Sequence, residues 1–227
     1  MLCATRAAAG AVRRQLPVPD RLHAHHSRRG PLRWAPEEVR RIRPFLHCPM
    51  QLAEPDPPTD GTLSPPSTDT PTTAAVLARL PRSAVAHFAC HGSNDHTNQG
   101  MLHLHDHATA PLTISALAQT DLAQPRLAYL SACGTANPGT NLIDQALHLT
   151  GAFQLAGFPQ VVGALWPIDD RQAAVVTESF YSRLTADGSG RLDPDQAASA
   201  LPDTVRAARD RCPAPPSLRA GHLHTGA

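Results

Sequence analysis

The sequence predicts an α/β fold in three layers, a mainly parallel sheet with helices on both faces, and three observations lead there. Residues 84–90, 126–132 and 160–166 are short, continuous apolar runs, as expected of strands covered on both sides rather than half-solvated ones. Segments with apolar residues at intervals of three and four separate these runs, so strand and helix alternate. Finally, 227 residues can bury a core of this design, although aromatics are only 4% and the core must rely on Ala, Val and Leu.

Taken in order, residues 1–33 mix Arg, His, Pro and Ala without periodicity and read as a poorly ordered lead, followed by a folded domain over 34–227. Pro36 at a helix start, Glu37 and Glu38 in its first turn, and Val39, Ile42 and Leu46 at helical spacing predict a helix over 36–46. Residues 53–71 are dense in Pro, Thr, Asp and Ser and read as an exposed loop. Thr70 is expected to cap a second helix, which Pro71 opens and Pro81 closes. After the strand at 84–90, Leu and His alternate over 101–107 in strand fashion, and 113–117 suits a helical turn. Beyond the strand at 126–132, Ala146, Leu149, Phe153 and Ala156 form one helical stripe, ended by Gly157 and kept from resuming by Pro159. The strand at 160–166 stops at Pro167. A helix over 170–184 follows, with Ala174, Val175, Phe180 and Leu184 inward, and a last helix over 194–211 carries a kink at Pro202.

Twenty basic residues stand against nineteen acidic ones, so there is no electrostatic case for a nucleic-acid or membrane partner. The arginine pairs Arg13-Arg14 and Arg28-Arg29 and the run Arg40-Arg41-Ile42-Arg43 read as solvated. Cys3, Cys48, Cys90, Cys133 and Cys212 are odd in number and never spaced as CxxC. That argues against a disulfide framework or a structural zinc site, and a reducing cytoplasm is the expected compartment. No apolar run is long enough to span a bilayer, and the Ala-rich start is too short for a signal peptide. Phosphate-loop and dinucleotide fingerprints are absent, and no cofactor is expected.

The chemistry lies at two strand ends. The run at 84–90 stops at His91-Gly92 and the run at 126–132 at Cys133-Gly134, and parallel sheets bind ligands at the carboxyl ends of their strands. An imidazole beside a thiol can take its proton, leaving a thiolate to attack a carbonyl, and can then protonate the leaving amine. The backbone N–H groups of Gly92 and Cys133 are the candidate donors to the oxyanion. Cys90 alternates to the opposite face and reads as a small buried hydrophobe. Ser131, two residues before Cys133, is a candidate for the substrate pocket, as are Asp169 and Asp170 after the third strand. Either acid turned inward favours basic substrate residues; turned the other way, it caps the helix that follows. No acidic third member is evident. His103, His105 and His107 alternate around Asp106, so that a zinc-dependent hydrolase is one alternative and a solvated strand face another.

With these residues in view, the chain resembles the CHAT family, caspase-like peptidase domains often found beside TPR repeats. The segments that carry the resemblance are His-Phe-Ala-Cys-His-Gly (87–92), Leu-Ser-Ala-Cys-Gly-Thr (130–135), Phe-Gln-Leu-Ala-Gly-Phe-Pro (153–159), Val-Gly-Ala-Leu-Trp-Pro-Ile-Asp-Asp (162–170) and the closing His-Leu-His-Thr-Gly (222–226). It runs from about Thr72 to Leu184 and returns near the end. The resemblance implies a three-layer caspase-like fold and a clan shared with caspases, separases, clostripain and gingipains. It also implies a His/Cys dyad sufficient without an acid, in which His91 and Cys133 fall on the family's two residues. A polypeptide substrate and a TPR-containing or signalling partner protein go with it, and no metal. The amino-terminal part departs from the pattern. A strand is expected before the helix at 36–46, yet 13–33 offers none, and 47–53 is short and contains Pro49. Two strands are therefore expected to be missing or degenerate, and no TPR repeat is present. A fragment, a misassigned start and a domain completed by a partner are the explanations open at this point. The sequence thus reads as a cysteine endopeptidase of a bacterial-type signalling or conflict system. The alternative is an impaired or truncated CHAT domain acting as an interaction module.

Overall fold

A computed structural model describes residues 2–5, 32–55, 68–94, 100–131, 142–165, 168–185, 190–211 and 221–226. Among these residues eight strands form two sheets: β1 (Leu2–Thr5), β2 (Met50–Ala53), β3 (Val85–Ala89), β6 (Leu127–Leu130), β7 (Gln160–Ala164) and β8 (His222–Gly226) in the larger, and β4 (His91–Asn94) with β5 (Gly100–His103) in the smaller. The larger sheet has the order β2-β1-β3-β6-β7-β8 and is parallel except for β8.

The amino-terminal flank corrects the expectation of lost strands. β1 lies between β2 and β3, with Leu2 opposite both Met50 and Ala86, and β2 completes the edge. A four-residue strand has too few positions to show a period, and its partners are remote in sequence. Pairing on both sides, rather than local pattern, stabilises it. The strand begins inside the segment read as an unstructured lead; residues 6–31 lie outside the described residues.

The α-helices of the described residues are α1 (Ala35–Ile42), α2 (Thr73–Arg79), α3 (Ile114–Ala118), α4 (Leu142–Leu155), α5 (Asp170–Arg183) and α6 (Ala197–Arg211). Alternation along the strands sorts the core into two halves. Ala86, Phe88, Ala128, Leu130 and Val161 meet Val76 and Leu80, Leu117, and Leu149, Ala152 and Phe153, from the α2, α3 and α4 side. Val85, Leu127, Tyr129 and Val162 meet Ile42, Phe180, Tyr181, Ala200 and Leu201 from α1, α5 and α6. Apolar residues on both faces explain the continuous apolar runs of the central strands.

Helix ends follow local chemistry, with three changes from the expected boundaries. Pro44 has no N–H to donate, so the predicted 36–46 helix tightens into a 3-10 turn at Arg43–Phe45. Thr72, not Thr70, caps α2 by accepting from the Ala75 N–H at 3.1 Å, while Thr70 is buried. β5 stops at His103, and 105–109 form a turn instead of continuing the predicted strand to 107. In α5 it is Val176, with Ala173, Ala174 and Phe180, that points inward, and Val175 is half-exposed. Gly157 ends α4's run at φ 108°, a conformation open to glycine, and α6 accommodates Pro202 inside the helix. Among the described residues no helix is long and apolar enough to cross a membrane.

Candidate active site

β3 and β6 are parallel neighbours in the register His87↔Tyr129 and Phe88↔Leu130, so both chains leave the sheet at the same carboxyl edge. At that edge β3 bends at Cys90 and continues as β4, whose first residue is His91. His91 is half-buried and Gly92 buried. Cys90 is 1% exposed and packs with Phe88 and Leu102 on the opposite face, as its place in the strand predicts. Ser131 is buried just past β6. Cys133 lies outside the described residues, as do Gly134, Trp166 and Pro167.

The two acids after β7 separate. Asp169 is exposed and caps α5, its Oδ1 accepting the Gln172 N–H at 3.1 Å. Asp170 is half-buried, and its Oδ2 accepts the Trp34 N–H at 2.7 Å from the start of α1. Burial pushes the Asp170 carboxyl above the usual carboxylate range, the Trp34 N–H opposes this, the charges of Glu38 and Asp169 add to it, and that of His91 opposes it. The Arg171 guanidinium, next along α5, sits 5.6 Å from the centroid of the Trp34 ring.

Beneath the edge is a buried polar group that the sequence reading missed. Glu38 of α1 and His87 of β3 are 2% and 0% exposed, and His87 Nε2 lies 3.0 Å from Glu38 Oε1, close enough to pair though without the alignment of a hydrogen bond. Thr177 donates to the same oxygen at 3.0 Å and lies 3.2 Å from the Tyr129 hydroxyl. Tyr181 places its hydroxyl 3.3 Å from His87 Nδ1. Two signals were available: Glu38 falls in the stripe Ala35, Glu38, Val39, Ile42, and an imidazole inside a continuous apolar strand needs a partner.

The three histidines do not form the zinc site weighed above. His103 stacks on His107 with ring centroids 4.4 Å apart and planes 15° from parallel, while His105 Nδ1 pairs with Glu54 Oε2 at 2.7 Å. Stacked rings direct their nitrogens side by side rather than at one point. No group of three or more His, Cys, Asp or Glu among the described residues could hold a metal ion.

A family model for the CHAT domain matches residues 1–218. The chain belongs to the CHAT family. The match takes in β1, β2 and the whole sheet edge around His91, and so extends well before Thr72, where the resemblance in sequence begins. The CHAT family is related to caspase-like cysteine peptidases, and the mixed sheet flanked by helices is consistent with a caspase-like CHAT domain. A comparison with curated proteins finds no match.

Proposed function

We propose that this CHAT domain is a cysteine endopeptidase that cuts peptide bonds with His91 as base and Cys133 as nucleophile. One observation supports it above the rest. The β3–β6 register pairs His87 with Tyr129, and four further residues along each chain lead to His91 and to Cys133. In the proposed reaction the thiol proton passes to the His91 imidazole and the thiolate adds to the scissile carbonyl, whose oxygen accepts from the Gly92 and Cys133 N–H groups. Collapse expels the amine, which takes the proton from His91. Water, deprotonated by the same imidazole, then releases the acid and restores the thiol. Ser131 and Asp170 border the pocket for the residue before the cut, and Asp170 gives it a preference for Arg or Lys; Asp169 contributes through the helix it caps. The substrate is a polypeptide, and the setting a cytoplasmic signalling or conflict system with a TPR-containing or signalling partner. The interaction-module alternative drew its support from a degenerate flank, and β1 and β2 remove that support.

The test is peptide cleavage and labelling by a thiol-directed peptide inhibitor, both in a Cys48→Ser background because Cys48 is exposed. Cys133→Ala is expected to abolish labelling and, like His91→Ala, to lower turnover about a thousandfold or more. Labelling that persists in Cys133→Ala, or that moves to Cys90, overturns the assignment.

A further inference from the structure

His103 and His107 belong to the one sequence motif that neither a metal nor the dyad accounts for. We infer that His103 is a positioning residue that holds the His91 imidazole in place, an inference that rests on His91 serving as the base of the proposed dyad. The two residues are direct cross-strand partners in the β4–β5 hairpin, so their side chains share a face. Their ring centroids are 6.5 Å apart with the planes at 71°, an edge-to-face arrangement. His103 is itself backed by the parallel ring of His107. The His107 Nδ1 lies 2.9 Å from the Leu104 carbonyl oxygen, to which it donates, and this sets the plane of the stack.

The turn that carries His107 is fastened to the start of α2. Asp106 Oδ1 accepts the Thr73 N–H at 2.8 Å, and the His105 N–H donates to the Pro71 carbonyl at 3.0 Å. Leu102 and Leu104, on either side of His103, are each 1% exposed in the core. His103 therefore comes from a fixed strand, rests on a fixed ring, and meets His91 across the hairpin. That ring closes off rotation of His91 toward β5. The chemistry needs this because a base displaced by about 1 Å loses roughly a hundredfold in rate. The contact is one of ring surface, so an aromatic ring without a titrating proton is expected to replace it.

The experiment compares His103→Ala, His103→Phe and His107→Ala in the full chain. Peptide cleavage is measured with Cys133→Ala as the blank, and the His91 ring signals are followed by NMR; thermal melts confirm that each variant is folded. His103→Ala is expected to lower kcat about tenfold to a hundredfold with KM unchanged, and to broaden or split the His91 ring signal. His103→Phe restores both, and His107→Ala shows a smaller loss in the same direction. Unchanged kcat and an unchanged His91 signal in His103→Ala overturn the inference. So does a His103→Phe variant as slow as His103→Ala, which shows that the imidazole proton rather than the ring surface is required. Cleavage that survives Cys133→Ala instead fails the dyad reading, and the His91 signal then still decides whether His103 holds the ring.

Discussion

Glu38→Leu is expected to destabilise the domain by about 1–3 kcal/mol, the usual cost of leaving a buried polar group without its partner. The structure supplies each part of that figure. Glu38 and His87 are 2% and 0% exposed, so neither regains water when its partner is lost. Removing the carboxylate leaves His87 Nε2 facing leucine, and the Thr177 hydroxyl loses an acceptor worth about 1 kcal/mol within the total. With a urea dependence of about 2 kcal/mol per molar, the midpoint of unfolding falls by roughly 0.5–1.5 M. The assay is urea unfolding followed by far-ultraviolet circular dichroism, with Glu38→Leu/His87→Phe measured beside the single variant. The double variant leaves no imidazole to strand and is expected to recover about 1 kcal/mol or more. A single variant within about 0.5 kcal/mol of the parent refutes the reasoning, as does a double variant whose loss equals the sum of the two single losses.

Burial holds the His222 imidazole at about 4, against an ordinary 6.5, with the Glu38 charge opposing the shift. Its Nδ1 is buried with no hydrogen-bond partner among the described residues. Because the native value is the lower, the unfolded chain binds the proton first. The contribution is full above pH 6.5 and is lost as the pH falls toward 4; at about 1.36 kcal/mol per pH unit it amounts to at most about 3 kcal/mol. His222→Phe is expected to flatten that acid limb in urea titrations between pH 7 and 4, and an unchanged slope refutes the assignment. Gly163→Ala sets a methyl 2.7 Å from Thr150 Cγ2, a β-branched group on a buried turn of α4, and is expected to cost about 1–3 kcal/mol. Adding Thr150→Ser removes the opposing methyl and should return most of that loss in thermal melts. Asp170→Asn is expected to lower kcat/KM for substrates with Arg or Lys before the cut by about tenfold or more, with little change for Leu. Equal losses on both substrates would instead place Asp170 outside the pocket.

Much of the local framework was legible in the sequence because it rests on short-range physics. The apolar runs at 84–90, 126–132 and 160–166 define β3, β6 and β7, and Gly157 marks the end of α4. The two-residue period of a strand was enough to send Cys90 into the core and leave His91 at the edge. The remainder depended on contacts between distant segments. β1 exists through pairing with β2 and β3, and β2 through pairing with β1, which four-residue strands do not advertise. Glu38 sits on the helical stripe that faces the sheet, but only the packing of α1 against β3 and α5 gives it His87 and Thr177. Asp169 and Asp170 are adjacent and chemically alike. The Trp34 N–H, 136 residues away, distinguishes the acid drawn inward from the one that caps the helix. Likewise the alternation of His103, His105 and His107 continued a strand on paper, whereas the turn after His103 stacks two of the rings beside His91 and turns the third to Glu54. Sequence by itself determined which residue types stand at the strand ends, since apolar period and glycine placement are local. Only the tertiary structure decided which neighbours surround them, since charge pairing, ring contact and strand order depend on segments that meet only when the chain is folded.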